Sequence, residues 1–373
     1  MIERSQYWIG YNDKQCDNPR GQFYNTRTQR AIMVRADGTD RREIGASLLK
    51  GENTWTQFVC WWPDGRAVVL AMWESPENFA WEHQHQRFRF DKGCWASDVC
   101  LVDVDADTAA NLTTVKRVSH WNTGMTPWPG DPSRASFVAI VDGAIRPFTM
   151  CLDGTDKRQV ISGEGKFTYG VQPSPDGRRI AYLQDYKLYL ADPNGSNARR
   201  VDEDPKRDFQ FAPAWSPDGQ WLEFLAGEHY DCHPHTIRAD GTGLRKLADR
   251  GGYRGVIETL DYPDFHSESS DGPVWSRDSH WLYYTAKVGQ AVELMRVSVD
   301  GQVQQLTRSK PGVLHYHPNV SPDSRLVVFG STRDGARALY VVDADGSNVQ
   351  AITAPTTGRA QLWANWRPRA GNR

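Results

Sequence analysis

The sequence lacks several features that would assign it to a common class of protein. It has no hydrophobic run long enough to cross a membrane, and the segment Met1 to Ser5 lacks the apolar core of a signal peptide. The six cysteines are irregularly spaced without a Cys-x-x-Cys pair, so we expect no disulfide framework. The sequence also has no Gly-x-Ser-x-Gly turn, Walker loop or dinucleotide fingerprint, so the usual motifs of hydrolases, kinases and Rossmann enzymes are missing.

An excess of charge of either sign is also missing. The chain has 44 basic and 46 acidic residues, and its formal net charge is −2. Because nucleic acids and anionic membrane surfaces select strongly basic proteins, we expect neither as a partner. We expect a cytoplasmic protein, or a periplasmic one if a signal peptide has been removed.

A repeated hairpin is the main feature that the sequence does contain. Its clearest copy, residues 212–226, is an apolar strand, a Pro-Asp-Gly turn and a second strand that alternates with period two. Asp-Gly and Asn-Gly turns form a second series between these copies, and they supply the positive φ of tight hairpins. The first type of turn, or a weaker form of it, recurs at residues 64, 131, 176, 218, 278, 323 and 367. A period of about 40 to 45 residues in a hairpin-rich chain is typical of β-propeller blades.

The sequence therefore predicts an all-β, seven-bladed β-propeller that forms a single domain over residues 1–373. Blades one to six follow the chain in order. The N-terminal strands, at about residues 5–48, are expected to complete a composite blade begun by residues 360–368. Pairing the two ends closes the ring and leaves no exposed sheet edge. Helical periodicity is nowhere sustained beyond a turn or two.

One face of the predicted disc carries the links between second and third strands and the links between blades; we call it the long-loop face. Two insertions are expected there, Trp73–Trp95 in blade one and Gly227–His235 in blade four, and the long segment 251–272 precedes blade five. Nine of the ten histidines fall on this face, and only His280 falls on the other. Because long loops on a rigid scaffold commonly carry function, we expect the active or binding site on this face, around the central channel.

The predicted blade-four insertion contains one set of candidate metal ligands. Cys232, His229 and His235 lie within a few residues of one another, and thiolate with imidazole is a donor set that suits zinc. The competing interpretation is a buried cysteine beside histidines at the start of a strand.

A second candidate metal site begins blade six. His315 and His317 alternate along a predicted strand, so both imidazoles would face the channel, and His266 from the preceding link would make a third ligand for a divalent metal. The competing interpretation is that one of these histidines only bonds to a neighbouring blade.

Other residues of this face suit proton transfer and sugar binding. Histidine and tyrosine can act as base and acid, arginine can neutralise a carboxylate, and flat aromatic rings stack on sugars. The catalytic candidates are His120, Tyr169, Arg254, His83 and His85. The substrate-binding candidates are Arg87, Trp121, Asn122 and Trp363.

Two family resemblances add to these inferences. The Ser-Pro-Asp-Gly turns, as at residues 216–219, resemble the TolB-type propeller repeat across nearly the whole chain. The segment 315–318, His-Tyr-His-Pro, resembles the His-x-His-Pro segment of oligogalacturonate lyases, which are seven-bladed propellers that use a divalent metal, typically manganese. The resemblance implies that His315 and His317 are metal ligands, with His266 as the nearest third histidine. The family's glutamine ligand falls at Gly312 here, so Gln361 or a blade-four histidine would have to replace it.

The histidine-rich face and the Cys-His segment also look like ulvan lyases, related propellers with a structural metal. That resemblance implies that His120 and Tyr169 perform the elimination and that the Cys232 cluster holds a structural metal.

The leading hypothesis is therefore a carbon–oxygen lyase that cleaves uronic-acid-containing oligosaccharides or polysaccharides by metal-assisted β-elimination, with manganese, zinc or calcium as the metal. One alternative is a non-catalytic TolB-like propeller that binds a protein or glycan. Another is a sugar-active enzyme of a different reaction type. A hydrolase would need paired carboxylates, and no convincing pair is evident, although acidic residues cluster in the link before blade five at positions 261, 264, 268 and 271.

Overall fold

The computed structural model of the chain describes residues 2–86, 89, 94–111, 125–141, 144–161, 168–228, 231–254 and 271–368. Within these residues, seven antiparallel sheets of four strands each follow one another around a ring. The predicted all-β, seven-bladed propeller is thus confirmed.

Blades one to three have their strands in chain order. Blade one contains β4 (Thr54–Trp61), β5 (Ala67–Glu74), β6 (Trp95–Asp103) and β7 (Thr108–Asn111). Blade two contains β8 (Met125–Trp128), β9 (Asp131–Val141), β10 (Ala144–Cys151) and β11 (Arg158–Gln159). Blade three contains β12 (Thr168–Pro173), β13 (Ile180–Gln184), β14 (Lys187–Ala191) and β15 (Arg199–Arg200).

The remaining blades keep the same antiparallel order. Blade four contains β16 (Phe209–Trp215), β17 (Trp221–Glu228), β18 (Asp231–Arg238) and β19 (Arg245–Lys246). Blade five contains β20 (Val274–Trp275), β21 (Trp281–Val288), β22 (Ala291–Ser298) and β23 (Val303–Gln305). Blade six contains β24 (His315–Val320), β25 (Leu326–Ser331), β26 (Ala338–Asp343) and β27 (Gln350–Ala351). The composite blade contains β28 (Arg359–Trp366), β1 (Trp8–Gln15), β2 (Arg30–Arg35) and β3 (Arg42–Glu43).

The recurring Ser-Pro-Asp-Gly turn is stabilised by local hydrogen bonds. In blade four the Ser216 hydroxyl donates to Oδ1 of Asp218 at 2.5 Å and accepts the backbone N–H of Trp221 at 2.9 Å. Gly219 has φ +70°, which a side chain disfavours. Ser174, Ser276 and Ser321 bond in the same way to the aspartate two residues later in their own blades. The turn is visible in the sequence because its stability depends on residues that are adjacent in the chain.

The composite blade closes the ring as predicted. Strand β1 lies between β28 and β2, with Asn12 opposite Leu362. The buried carboxylate of Asp13 accepts hydrogen bonds from Arg41 at 2.7 Å, Arg359 at 3.1 Å and Gln361 at 3.3 Å. Because a buried charge must be paired, this cluster is expected to stabilise the junction of β1 with β28.

Two helices occupy links on the long-loop face of neighbouring blades. Helix α1 (Gln22–Arg27) joins β1 to β2, and helix α2 (Pro76–His85) joins β5 to β6. Three short 3₁₀ helices span Arg4–Gln6, Ala46–Leu48 and Pro205–Arg207. Helix α2 has ten residues, or nearly three turns, and is therefore longer than the one or two turns expected from the sequence. In the described parts of the chain, no helix has the length and apolar character that a membrane span requires.

The start of α2 follows ordinary helix chemistry. The hydroxyl of Ser75 accepts the backbone N–H of Asn78 at 3.1 Å, and Pro76 occupies the first helical position. Both features favour helix initiation.

The prediction of an insertion in blade four was wrong. Strand β17 continues to Glu228 and β18 begins at Asp231, so most of Gly227–His235 belongs to a hairpin. The turns at residues 218 and 278 are farther apart than the usual period, and the additional residues lie between β19 and β20, before blade five. The error arose because the spacing of turns shows that residues have been added but not which link contains them.

Candidate active site at the inner strands

The first strands of the blades carry a repeated irregularity. In blades three, four, six and the composite blade, the pairing of the first strand shifts at a β-bulge. One residue there adopts positive φ: Gly170 (+66°), Ala212 (+48°), His317 (+47°) or Trp363 (+53°). The left-handed conformation is unfavourable for the three residues that carry a side chain, and such strain often accompanies a functional site. Of these four residues only His317 carries a group that can bind a metal or transfer a proton.

His317 is almost fully enclosed, with 7% of its surface exposed. Its ring stacks on Trp363 at a centroid distance of 5.5 Å, and its Nδ1 accepts the backbone N–H of Trp363 at 3.4 Å. The other ring nitrogen, Nε2, is buried and makes no hydrogen bond. Burial lowers the pKa of His317 more than the nearby Asp271 carboxylate raises it, so the imidazole is neutral at pH 7. Because Nδ1 accepts a hydrogen bond, the single proton of the neutral ring lies on Nε2, which can donate it; Nε2 can bind a metal or accept a proton only in the other tautomer.

Asp271 places a carboxylate beside His317. Its Oδ1 accepts the backbone N–H of His317 at 3.0 Å and lies 3.3 Å from the Nε2 of the same residue. Its Oδ2 accepts the hydroxyls of Tyr253 at 3.1 Å and Thr285 at 3.3 Å. Asp271 thus joins the link before blade five, blade five itself and the bulge of blade six.

His315 has a different environment from His317. Its ring is fully buried, with Nδ1 2.9 Å from the hydroxyl of Ser331 and Nε2 2.9 Å from that of Ser309. Nε2 also lies 3.5 Å from the buried carboxylate of Glu293. The prediction that His315 and His317 point the same way assumed regular strand alternation, which the bulge at His317 interrupts. Since both nitrogens of His315 are engaged, it fits the alternative interpretation, a bond between neighbouring blades.

The proposed ligands of blade four do not converge either. Cys232 is fully buried, and its Sγ lies 3.7 Å from the carbonyl of Phe209. His235 stacks on Phe224, and burial lowers its pKa to about 4. Residues three apart in a strand project from opposite sides, so the structure separates Cys232 from His235. Within the described ranges, no group of three or more His, Cys, Asp or Glu side chains is placed to hold a metal ion.

The histidines of blade one lie on helix α2 and are exposed. His83 contacts the rings of Tyr24 and Phe79, which joins α2 to α1. His85 stacks on Trp81 at 4.2 Å, and its Nδ1 lies 2.8 Å from the carbonyl of that residue. Both histidines stay candidates for proton transfer on the long-loop face.

A buried pair of carboxyl groups, which the sequence analysis missed, lies at the base of α2. The Asn78 amide donates to Glu74 at 2.8 Å and to Glu82 at 3.0 Å, and Arg27 donates to Glu74 at 2.7 Å. Burial and the neighbouring Glu74 carboxylate raise the pKa of Glu82 to about 8, although the backbone N–H of Arg89 opposes this shift. Asn78 and Glu82 lie on one face of α2 because they are four residues apart, and Glu74 reaches the same place from the end of β5.

Other predicted residues divide into those that the structure describes and those that it does not. The ring of Tyr169 is buried in the apolar core between blades, which suits a structural tyrosine better than a catalytic acid. Trp363 lies against His317, and Arg254 is exposed on the segment before blade five. The predicted residues outside the described parts of the chain are Arg87, His120, Trp121, Asn122, His229 and His266.

Comparisons with known proteins agree with this architecture. No protein-family model matches the sequence. The oligogalacturonide lyase of Pectobacterium atrosepticum is 25% identical over 170 residues, which cover 43% of this chain and 43% of that protein. The matches to five curated relatives cover between 24% and 64% of the relatives' own lengths.

Solved structures have the same type of fold at low sequence identity. An oligogalacturonate lyase from Vibrio parahaemolyticus is 12% identical, covers 84% of this chain and 83% of its own, and gives a TM-score of 0.57. TolB from Acinetobacter baumannii is 13% identical, covers 99% of this chain and 68% of its own, and gives 0.54. The resemblance to TolB-type and oligogalacturonate lyase propellers is therefore confirmed for the fold.

Proposed function

We propose that this chain is a carbon–oxygen lyase that cleaves uronic-acid-containing oligosaccharides or polysaccharides by β-elimination. The observation that carries the proposal is His317: a buried, neutral imidazole with an unbonded nitrogen, held at a strained bulge of an inner strand. The sequence match to an oligogalacturonide lyase supports the proposal, although that match covers less than half of either chain.

The reaction sets the chemical requirements for the site. A base removes the C5 proton of the uronate, the C4–O bond breaks, and an acid protonates the leaving oxygen without addition of water. A divalent cation, when bound, would neutralise the uronate carboxylate and acidify the C5 proton. By the family resemblance, His317 would hold that cation through Nε2, with the proton of its ring moved to Nδ1. His315 does not fit because both of its ring nitrogens face hydroxyl groups. Cys232 and His235 do not fit because they project from opposite sides of their strand.

The other roles are assigned to residues of the same face. Trp363 beside His317 offers an aromatic contact for a sugar ring, and Arg254 offers a charge for a carboxylate. His83 and His85 are the described candidates for the base. By the family resemblance, His266 would join His317 in holding manganese, zinc or calcium.

The test is an ultraviolet assay for unsaturated product with a panel of uronate oligosaccharides, each supplied with manganese, calcium or zinc. We expect product from the wild type and a loss of at least about a hundredfold in His317→Ala. His280→Ala, on the opposite face, is the matched control and should retain activity. Absence of product from every uronate with every metal would exclude the lyase.

A glycan-binding propeller without catalysis is the second candidate. The exposed stack of His85 on Trp81, with the Arg89 guanidinium 4.6 Å from the Trp81 ring centre, favours it because such surfaces recognise acidic sugars. In that case the wild type and His317→Ala would bind the same glycan with equal affinity and neither would form product.

A further inference from the structure

Four exposed basic side chains belong to the long-loop face of blades five and six, and we call them the cationic strip. They are Lys287 near the end of β21, Arg308 and Lys310 in the link from β23 to β24, and Arg333 in the link from β25 to β26. In the described parts of the chain, no carboxylate lies within ion-pair distance of these four side chains. The same links contain one exposed acidic residue, Asp334, whose carboxylate accepts the hydroxyl of Tyr340 at 2.7 Å. The strip therefore carries an excess of positive charge.

Backbone hydrogen bonds join these links into one surface. The N–H of Gly312 donates to the carbonyl of Gln290 at 2.8 Å, so the link from β23 to β24 lies against the hairpin that carries Lys287. The N–H of Thr332 donates to the carbonyl of Leu314 at 3.1 Å, so the same link also lies against the one that carries Arg333. The strip is thus continuous across the two blades.

The link from β23 to β24 directs its two basic side chains outward. The hydroxyls of Thr307 and Ser309 donate to Oε2 of the buried Glu293 at 2.6 and 3.0 Å, and the N–H of Ser309 donates to its Oε1 at 2.6 Å. Because these alternate residues turn inward, Arg308 and Lys310 project into the solvent. Glu293 therefore fixes the backbone that carries two of the four charges.

The same link crosses the disc toward its centre. It leaves blade five at β23, the last strand of that blade, and enters blade six at β24, the first. The first strands of neighbouring blades contact one another around the channel, and β24 carries His317. A chain molecule bound along the strip would therefore extend toward the site proposed for the elimination.

A repeating polyanion is the ligand that this surface suits. Neighbouring like charges repel one another, and a bound polyanion removes that repulsion. A single exposed arginine or lysine contributes little, but several along one path add their contacts to a ligand with repeated charges. Nucleic acids usually select far more basic proteins than one with a net charge of −2, which favours an acidic glycan.

We propose that the cationic strip binds an anionic glycan chain through its carboxylates, outside the channel, and directs the chain toward His317. This inference rests on the proposed function for the identity of the glycan as a polyuronate, but not for the binding of a polyanion. It favours a substrate longer than the few sugars that the channel alone would hold.

The test is calorimetric titration of the full-length protein with a galacturonate chain of about ten sugars, with a chelator present to prevent metal-assisted cleavage. We expect the wild type to bind and the double variant Arg308→Gln with Lys310→Gln to lose at least about tenfold in affinity. Raising the salt from about 50 to about 200 mM should weaken the wild type more than this variant. A second double variant, Lys287→Gln with Arg333→Gln, should lose affinity similarly and keeps the test decisive if the first does not fold.

The matched control is the double variant Arg277→Gln with Arg325→Gln. These two exposed arginines lie in the first turns of blades five and six, on the opposite face, so the same charge is lost from the same blades. The control should bind the chain as the wild type does. The methyl ester of the same glycan lacks the negative charges and should not bind.

The outcomes separate the two proposals. No binding by the wild type, unchanged affinity in both strip variants, or equal binding of the methyl ester would overturn the strip as a binding site. Equal affinity for single-stranded DNA of the same charge would overturn its assignment to a glycan. If the chain binds as expected and no uronate is cleaved, the strip stands and the lyase fails. If uronates are cleaved while the strip variants keep wild-type affinity, the lyase stands and the strip fails.

Discussion

Replacing Glu82 by glutamine should remove a large part of the pH dependence of stability. Glu82 lies on the buried face of α2 with 1% of its surface exposed, and the Asn78 amide joins its carboxyl group to that of Glu74. Arg27 forms an ion pair with Glu74. If Glu82 were ionised as well, two carboxylates would share the charge of that one arginine. The pair is therefore most stable when Glu82 carries a proton.

The direction of the effect follows from proton binding. The ordinary pKa of Glu82 is 4.5, and in the folded protein it is about 8. Between these values the folded state holds a proton that the unfolded state has lost, so stability falls as pH rises from about 4.5 to about 8 and then levels off. The full difference corresponds to roughly 5 kcal/mol at about 1.4 kcal/mol per pH unit. Local rearrangement of α2 would reduce it, and we expect roughly 2 to 4 kcal/mol.

Urea denaturation at pH 5.5, 7.0 and 8.5 measures this effect. The difference in unfolding free energy between the wild type and Glu82→Gln should change by roughly 2 kcal/mol or more over this interval, because only the wild type loses stability at Glu82. Glu77→Gln, on the exposed side of the same helix, should keep the wild-type dependence. If Glu82→Gln had the same slope as the wild type, the buried proton would not be on Glu82 and the reasoning would be refuted.

Three further substitutions test packing and closure by urea denaturation at pH 7. His315→Ala should lower the unfolding free energy by about 3 kcal/mol, because it deprives the buried Glu293 of a neighbour and empties the site between blades; a change below about 0.5 kcal/mol would contradict this. Asp13→Ala should cost about 3 kcal/mol, because it leaves the buried Gln361 amide and the partly exposed Arg41 and Arg359 without their acceptor, and a neutral result would show that the cluster does not stabilise closure. Gly330→Ala should cost about 2 kcal/mol or more, since the added methyl group would overlap the Tyr316 ring, and wild-type stability would mean that this ring moves freely.

The architecture could be predicted because its determinants are local and repeated. Ser216, Asp218 and Gly219 stabilise their turn within six residues of chain, and the same chemistry recurs in other blades. Counting such turns therefore gives the blades, and the unmatched strand at Trp366 gives the composite blade. The position of added residues was harder to predict, since Cys232 and His235 look like ligands in the sequence but belong to a regular strand.

The geometry at His317 could not be derived from the pattern. A strand with His-x-His spacing predicts two parallel side chains, but the bulge turns one away, and the bulge depends on pairing with β25 and on contacts with Trp363 and Asp271. Asp271 was recognised only as part of an acidic cluster, because its contact with blade six joins distant parts of the chain. The helix that carries Glu82 was available from the sequence through its Ser75-Pro76 start, but the contact of Glu82 with Glu74 was not, because Glu74 belongs to the preceding strand.

The composite blade also sets an order for folding. The hydrogen bond between Gln361 and Asp13 joins residues that are 348 positions apart, so this junction can form only when almost the whole chain has been made. Each other blade can pair its own strands as soon as they emerge, because they are close in sequence. Until β28 reaches β1, the growing protein has two open sheet edges that other chains can pair with. Ring closure is therefore expected to be the slow, last step, and the period before it is when this propeller is most prone to aggregate.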